Sequence, residues 1–238
     1  MAGMLKVEIW RGTEEGRYET YEVPSQPSQT VLDLVTFVQR KLDPSLAYRF
    51  ACRVGVCGSC AMTVNDTPRW TCRTHVQKVV ERGRVRIAPL RNLPIVKDLA
   101  TDMVPFFDKG QEAKGRFIPS DAAATSVAEI SPEDPKRKEA DAAIECIGCA
   151  VCYAACDVVS WRPEYLGPAA LNRAWTLVSD ARDSDRIGHL QAVADDAGCH
   201  ACHGHQNCVE HCPVGINPTR SISGLKRLVL MAAVRGRL

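Results

Sequence analysis

The sequence predicts an α+β protein of two domains, a β-grasp unit over residues 1–105 followed by an all-α unit over residues 106–238. Three observations predict it. In the first hundred or so residues, short runs alternate apolar and polar positions around a single helical stripe. From Val104 to Pro135 the chain is rich in Pro, Gly, Ala, Ser and charge, and Pro105, Pro119, Pro132 and Pro135 are placed to break any long helix. Beyond that segment the apolar spacing becomes helical.

Leu5, Val7 and Ile9 alternate with polar neighbours, and Tyr18 to Val23 alternates again, which predicts a hairpin-like pair of half-buried strands. Thr30 can cap a helix in which Val31, Leu34, Val35, Val38 and Leu42 share a face, and Pro44 ends it. Leu46–Phe50, Ala61–Asn65 and Val85–Ile87 read as further short strands, with Asn65 and Asp66 as turn formers. That order suits a β-grasp fold. Downstream, Pro168 suits a first helical position, with Leu171, Ala174, Trp175 and Val178 following at helical spacing. Ile222, Leu225, Leu228, Val229 and Ala232 form a second stripe. Both stripes read as core rather than as cofactor contacts.

The chain has 238 residues, 45% of them hydrophobic, enough to bury real cores. Its 30 basic and 28 acidic side chains leave a formal charge of +2, which argues against a nucleic-acid binder that works by neutralising phosphates. The longest apolar run, Leu228–Val234, is far short of the roughly 18 residues of a spanning helix. The N-terminus MAGMLKVEIW lacks a signal-peptide layout, so an unexported chain in a reducing compartment is expected.

Twelve cysteines in three tight clusters carry the chemistry. Disulfides are disfavoured by the expected compartment and by thiols packed more densely than structural bridges need, which leaves zinc or iron-sulfur. Cys52-x4-Cys57-x2-Cys60, followed by Cys72, has the plant-type [2Fe-2S] spacing. Gly55 and Gly58 allow the loop to wrap a cluster with backbone amides aimed at sulfur. The x4 gap is unlike the paired C-x2-C knuckles of structural zinc. Cys146-x2-Cys149-x2-Cys152-x3-Cys156 is the bacterial ferredoxin run, in which three thiolates hold one cubane and the fourth reaches another cluster. Asp157 stands where a proline usually follows. Cys199, Cys202, Cys208 and Cys212-Pro213 supply the remaining partners.

Jointly, CRVGVCGSC (52–60), IVKDL (95–99), CIGCAVCYAAC (146–156) and CHGHQNCVEHCPVGINPTR (202–220) make the chain resemble, over nearly its full length, the iron-sulfur subunits of the succinate dehydrogenase and fumarate reductase family. RPEYLGPAAL (162–171) and DARD (180–183) agree more weakly. The resemblance implies a plant-type [2Fe-2S] ferredoxin-like β-grasp domain followed by a bacterial-ferredoxin-like helical domain. It implies electron transfer between an FAD-containing flavoprotein subunit and membrane anchor subunits with quinone. The chain would lie on the cytoplasmic side of the membrane, held there by its partners, with no substrate chemistry of its own and no nucleic acid.

Carried over by position, Cys52, Cys57, Cys60 and Cys72 would hold [2Fe-2S], Cys146, Cys149, Cys152 and Cys212 [4Fe-4S], and Cys156, Cys202 and Cys208 [3Fe-4S]. His205 stands where a fourth thiolate would complete the last cubane. The resemblance also places quinone beside Trp161, His203 and Lys226, against the plainer readings of core, turn and solvated charge. Two departures stand out. Cys199 exceeds the eleven ligands and reads as a bystander, with a swing-in ligand and a second four-iron cubane as the other readings, and Asp157, Val158 and Val159 replace the family's usual Pro and aromatic residues. The C-terminal basic residues, among them Arg227 and Arg235, read as a solvated face. Two other readings stay open: a related flavin enzyme with another organic acid or a non-quinone acceptor, and a zinc-stabilised interaction module.

Overall fold

The computed structural model describes residues 3–121, 127 and 129–238. The chain divides into two compact units, Met1–Met103 with Ile147–Ala155, and Val104–Cys146 with Cys156–Leu238. Part of the Pro- and Gly-rich stretch, residues 122–126 and 128, lies outside the described residues.

In the first unit, strands β1 (Met4–Arg11) and β2 (Arg17–Pro24) pair antiparallel, with Leu5 opposite Val23 and Val7 opposite Tyr21. Helix α1 (Val31–Phe37) starts at a capping box. The Thr30 hydroxyl accepts from the Asp33 amide at 3.3 Å, while the Asp33 carboxylate accepts from the Thr30 amide at 2.9 Å. A wider turn, Val38–Leu42, ends the helix ahead of Asp43 and Pro44. Strands β3 (Ala61–Val64), β4 (Thr67–Trp70) and β5 (Arg84–Ala88) complete a sheet of order β2-β1-β5-β3-β4. The two central strands, β1 and β5, run parallel, with Val7 beside Val85 and Ile9 beside Ile87. Their inward side chains meet Val31, Leu34, Val35 and Val38, so the alternation of the strands and the stripe of the helix build one core. Asn65 and Asp66 both adopt positive φ, 46° and 62°, the geometry of the two-residue hairpin turn that favours these residues.

Two elements differ from expectation. Leu46–Phe50 is not a strand, although Leu46 is buried in the core. The backbone of Ala47 bonds outside the sheet, its amide donating to the Asp98 carboxylate at 2.8 Å and its carbonyl accepting from Leu99 at 3.1 Å. Conversely β4 contains Pro68, which discourages a strand reading, and β4 is an edge strand, where a missing amide is tolerated. A short hairpin, β6 (Ile95–Lys97) and β7 (Ala100–Thr101), carries Asp98 at its tip.

Asp98 is buried, and besides Ala47 its carboxylate accepts from the Gly12 amide at 2.8 Å and lies 3.2 Å from Arg11 Nε. Removing one member of such a buried pair strands the other charge, at a cost of about 3 kcal/mol. Asp98→Ala is therefore expected to lower the melting temperature of the protein by several degrees in a circular-dichroism melt. An unchanged melt would refute the hub role.

The second unit is helical. Helix α2 (Val104–Glu112) begins within the segment expected to be irregular, because Pro105 falls in its first turn, where no amide is needed. Helix α3 (Pro135–Ile144) is capped by Asp134 and carries Pro135 at its first position. Then follow α4 (Asp157–Trp161), α5 (Gly167–Val178), α6 (Arg186–Gln191), α7 (Asn207–Glu210) and α8 (Pro218–Val234). The expected stripe of α5 is buried, and that of α8 is buried except for half-buried Leu228. Gly224 lets α8 lie against α5: a Cβ there would stand 2.4 Å from the Trp175 ring. The Ser221 hydroxyl donates to Asn172 Oδ1 at 2.9 Å, and Asn172 Nδ2 donates to the Ala143 carbonyl at 2.9 Å, so α8, α5 and α3 share a buried polar link. Among the described residues no helix is long and apolar enough to cross a membrane.

Candidate iron-sulfur centres

The 52–60 loop is shaped by three residues at positive φ, Arg53 (59°), Gly55 (78°) and Gly58 (71°). They turn the backbone so that its amides point inward. The Val54 and Val56 amides donate to Cys52 Sγ at 3.4 and 3.5 Å, and the Cys52 amide donates to Cys57 Sγ at 3.4 Å. The Val56 amide above all, then the Cys57 thiol and the Val54 amide, hold the Cys52 thiol down to about 6. Cys60 and Cys72 are buried on Leu32, with Tyr48, Phe50 and Trp70 packed alongside. Burial first, then the neighbouring Cys60 thiol, pushes Cys72 up to about 12. Thr71 ties the two together, its hydroxyl donating to the Cys60 carbonyl at 2.7 Å.

A buried thiol that resists ionisation needs a cationic core to hold it as thiolate, while the amides stabilise the sulfur charge that remains. Amide donors at the exposed end and apolar cover at the buried end therefore fit an iron-sulfur group at Cys52, Cys57, Cys60 and Cys72. Among the described residues no three His, Cys, Asp or Glu side chains stand placed to hold a single metal ion. The fit thus rests on the amide-to-sulfur contacts.

Cys149 and Cys152 lie in the first unit, around the helical turn Val151–Ala154, while Cys146 and Cys212 belong to the second unit. Two contacts bind the Cys149 segment into the first unit. A Cβ on Gly58 would stand 2.9 Å from Cys149 Cα and from the Ile147 carbonyl, so the two motifs touch where only glycine fits. Asn92 Nδ2 donates to the Tyr153 carbonyl at 3.0 Å.

In the second unit, Cys156 and Cys208 both lie within electrostatic reach of Cys202. Burial pushes Cys156 and Cys208 up, and each also feels the charge of Cys202. The Val159 and Val158 amides at the start of α4 are aimed at Cys156. Thr219 Oγ1 lies 3.5 Å from Cys208 Sγ. Tyr165 is buried, and burial followed by the charges of Cys202, Cys156 and Cys208 pushes its phenol far above the usual range. Sequence reasoning missed Tyr165 and Thr219. Both fall inside the motifs RPEYLGPAAL and NPTR, yet neither residue type by itself signals a sulfur neighbour.

Cys199 is fully buried on the single turn Cys199–Ala201, and burial pushes its thiol up to about 11. The expected quinone residues are placed unevenly. Trp161 is 66% exposed, and the His205 ring stands 6.0 Å from it and 6.1 Å from the exposed His203 ring. His205 Nδ1 is 3.8 Å from the Asp157 carboxylate, which also accepts from Asn207 at 3.2 Å. Lys226 instead donates to the Cys202 carbonyl at 2.7 Å.

Comparison with known proteins agrees with this architecture. A family model described as "2Fe-2S iron-sulfur cluster binding domain" matches residues 5–108, and one described as "4Fe-4S dicluster domain" matches residues 142–216. The fumarate reductase iron-sulfur subunit of Haemophilus influenzae is 33% identical over 92% of this chain and 91% of its own length. The succinate dehydrogenase iron-sulfur subunit of Paracoccus denitrificans is 33% identical over 91% of this chain and 83% of its own. Among solved structures, a chain of the Mycobacterium smegmatis Sdh1 complex in the apo form superimposes with a TM-score of 0.85 at 28% identity, covering 96% of both chains. With two cluster-binding domains in this order and full-length relatives of this kind, the chain belongs to the iron-sulfur subunits of the succinate dehydrogenase and fumarate reductase family.

Proposed function

We propose that this chain passes single electrons between an FAD-containing flavoprotein subunit and a quinone held by membrane anchor subunits, as part of a succinate:quinone or quinol:fumarate oxidoreductase. The observation that carries this is the 52–60 loop, whose amides converge on Cys52 and Cys57 beside buried Cys60 and Cys72. Cys52, Cys57, Cys60 and Cys72 hold [2Fe-2S], Cys146, Cys149, Cys152 and Cys212 hold [4Fe-4S], and Cys156, Cys202 and Cys208 hold [3Fe-4S]. When bound, the clusters supply one-electron steps that divide the two-electron chemistry of a flavin.

The chain's own residues do the rest. Tyr48, Phe50, Trp70 and Leu32 keep water from the buried ligands of the first site, and the amides of Val54 and Val56 favour charge on sulfur. Attachment to the membrane, at its cytoplasmic side, is through the partners. Trp161, with its N–H donor, and His203 would line the quinone pocket. A non-quinone acceptor is the second reading, favoured by Lys226, which is turned to the Cys202 carbonyl rather than to solvent.

Anaerobically purified protein is expected to contain about nine irons, two plus four plus three, with matching acid-labile sulfide and a low-potential [2Fe-2S] signal on reduction. It should also co-purify with a flavoprotein. Stoichiometric zinc with little sulfide would overturn the proposal.

A further inference from the structure

We infer that the side-chain hydroxyls of Tyr165 and Thr219 donate hydrogen bonds to the Cys202 and Cys208 sulfurs, and that they set the potential of the three-iron centre as positioned dipoles. The inference rests on the assignment of Cys156, Cys202 and Cys208 as the ligands of that centre.

Thr219 Oγ1 lies 3.5 Å from Cys208 Sγ, and Tyr165, 1% exposed, is buried close enough to Cys202, Cys156 and Cys208 to feel all three sulfurs. The backbone holds both hydroxyls in place. The Tyr165 amide donates to the Arg162 carbonyl at 2.9 Å, and the next residue, Leu166, donates to the Ala197 carbonyl at 2.9 Å, which pins the start of α5 to the segment leading into Cys202. Thr219 lies in the first turn of α8, whose cap is Asn217 accepting from the Arg220 amide at 2.9 Å.

In the free thiol form either partner of the Thr219–Cys208 pair can donate. A metal-bound thiolate carries no proton, so in the loaded protein both hydroxyls must be the donors. Cys156 receives its donors from the backbone, the Val158 and Val159 amides. Each of the three sulfurs thus has its own donor, two of them from side chains and so open to substitution. A donor to sulfur stabilises the more negative, reduced state and raises the potential.

The test is a redox titration of the purified complex, following the oxidised three-iron paramagnetic signal. Tyr165→Phe keeps the ring and removes only the donor. It is expected to reduce the reduced-to-oxidised ratio about tenfold at the wild-type midpoint, a fall of about 59 mV for one electron. Thr219→Val is expected to shift the same way, while Thr219→Ser, which keeps the hydroxyl, should restore the wild-type value. Iron content and the [2Fe-2S] midpoint should not change. A retained three-iron signal with an unmoved midpoint in both Tyr165→Phe and Thr219→Val would overturn the inference. A wild type with no three-iron signal at all would instead overturn the ligand assignment, and the inference with it.

Discussion

Replacing His205 with cysteine is expected to convert the three-iron centre into a four-iron cubane. His205 stands three residues after Cys202 and three before Cys208, the place of the middle ligand in a C-x2-C-x2-C run. It lies in a loop between two residues at positive φ, Gly204 at 74° and Gln206 at 65°. Its side chain is exposed, with Nδ1 3.8 Å from the Asp157 carboxylate, so a smaller thiol meets no core packing. The oxidised three-iron signal should disappear, iron should rise by about one per chain, and the midpoint should fall, because an added iron and thiolate change both charge and ligation. A wild type already holding two four-iron cubanes would refute this and would make buried Cys199 a ligand rather than a bystander.

Quinone-dependent turnover in the assembled complex should fall about 30-fold in His203→Ala, the effect of losing about 2 kcal/mol of stabilisation for a developing oxyanion. The expectation follows from an exposed imidazole, beside His205 and next in sequence to Cys202, able to donate to a quinone oxygen as it gains charge. Electron flow from the flavoprotein to an artificial dye should survive, since that route does not use the pocket. Lys226→Leu should behave differently. Its ammonium bonds the Cys202 carbonyl at 2.7 Å, so its loss should disturb the three-iron signal as well as turnover. Unchanged quinone turnover in His203→Ala would favour a different acceptor.

Much of the fold was legible because its signals are local. The period-2 runs at Leu5–Ile9 and Tyr18–Val23 became the antiparallel pair β1 and β2. Thr30 capped α1, and Asn65-Asp66 made the β3–β4 turn. The misses share one cause. Leu46–Phe50 has strand-like composition, but its partner is a carboxylate more than fifty residues away in sequence at Asp98, and nothing in the five residues announces that. β4 was hidden by Pro68, whose fault as a strand residue vanishes only at a sheet edge.

The sequence by itself determined the chemistry. Three thiols within nine residues, or four within eleven, bring sulfurs together by chain geometry alone, and glycines at Gly55 and Gly58 permit the positive φ that turns amides toward them. Tertiary structure alone decided what surrounds those sulfurs. It placed residues 147–155 in the first unit, against Gly58. It buried Tyr165 beside the Cys156, Cys202 and Cys208 sulfurs, set the Thr219 hydroxyl 3.5 Å from Cys208 Sγ, and turned Lys226 back onto the Cys202 carbonyl. Ligand spacing is written in neighbouring residues, whereas the donors and charges around a cluster come from elements far apart in the chain, and only packing fixes their distances.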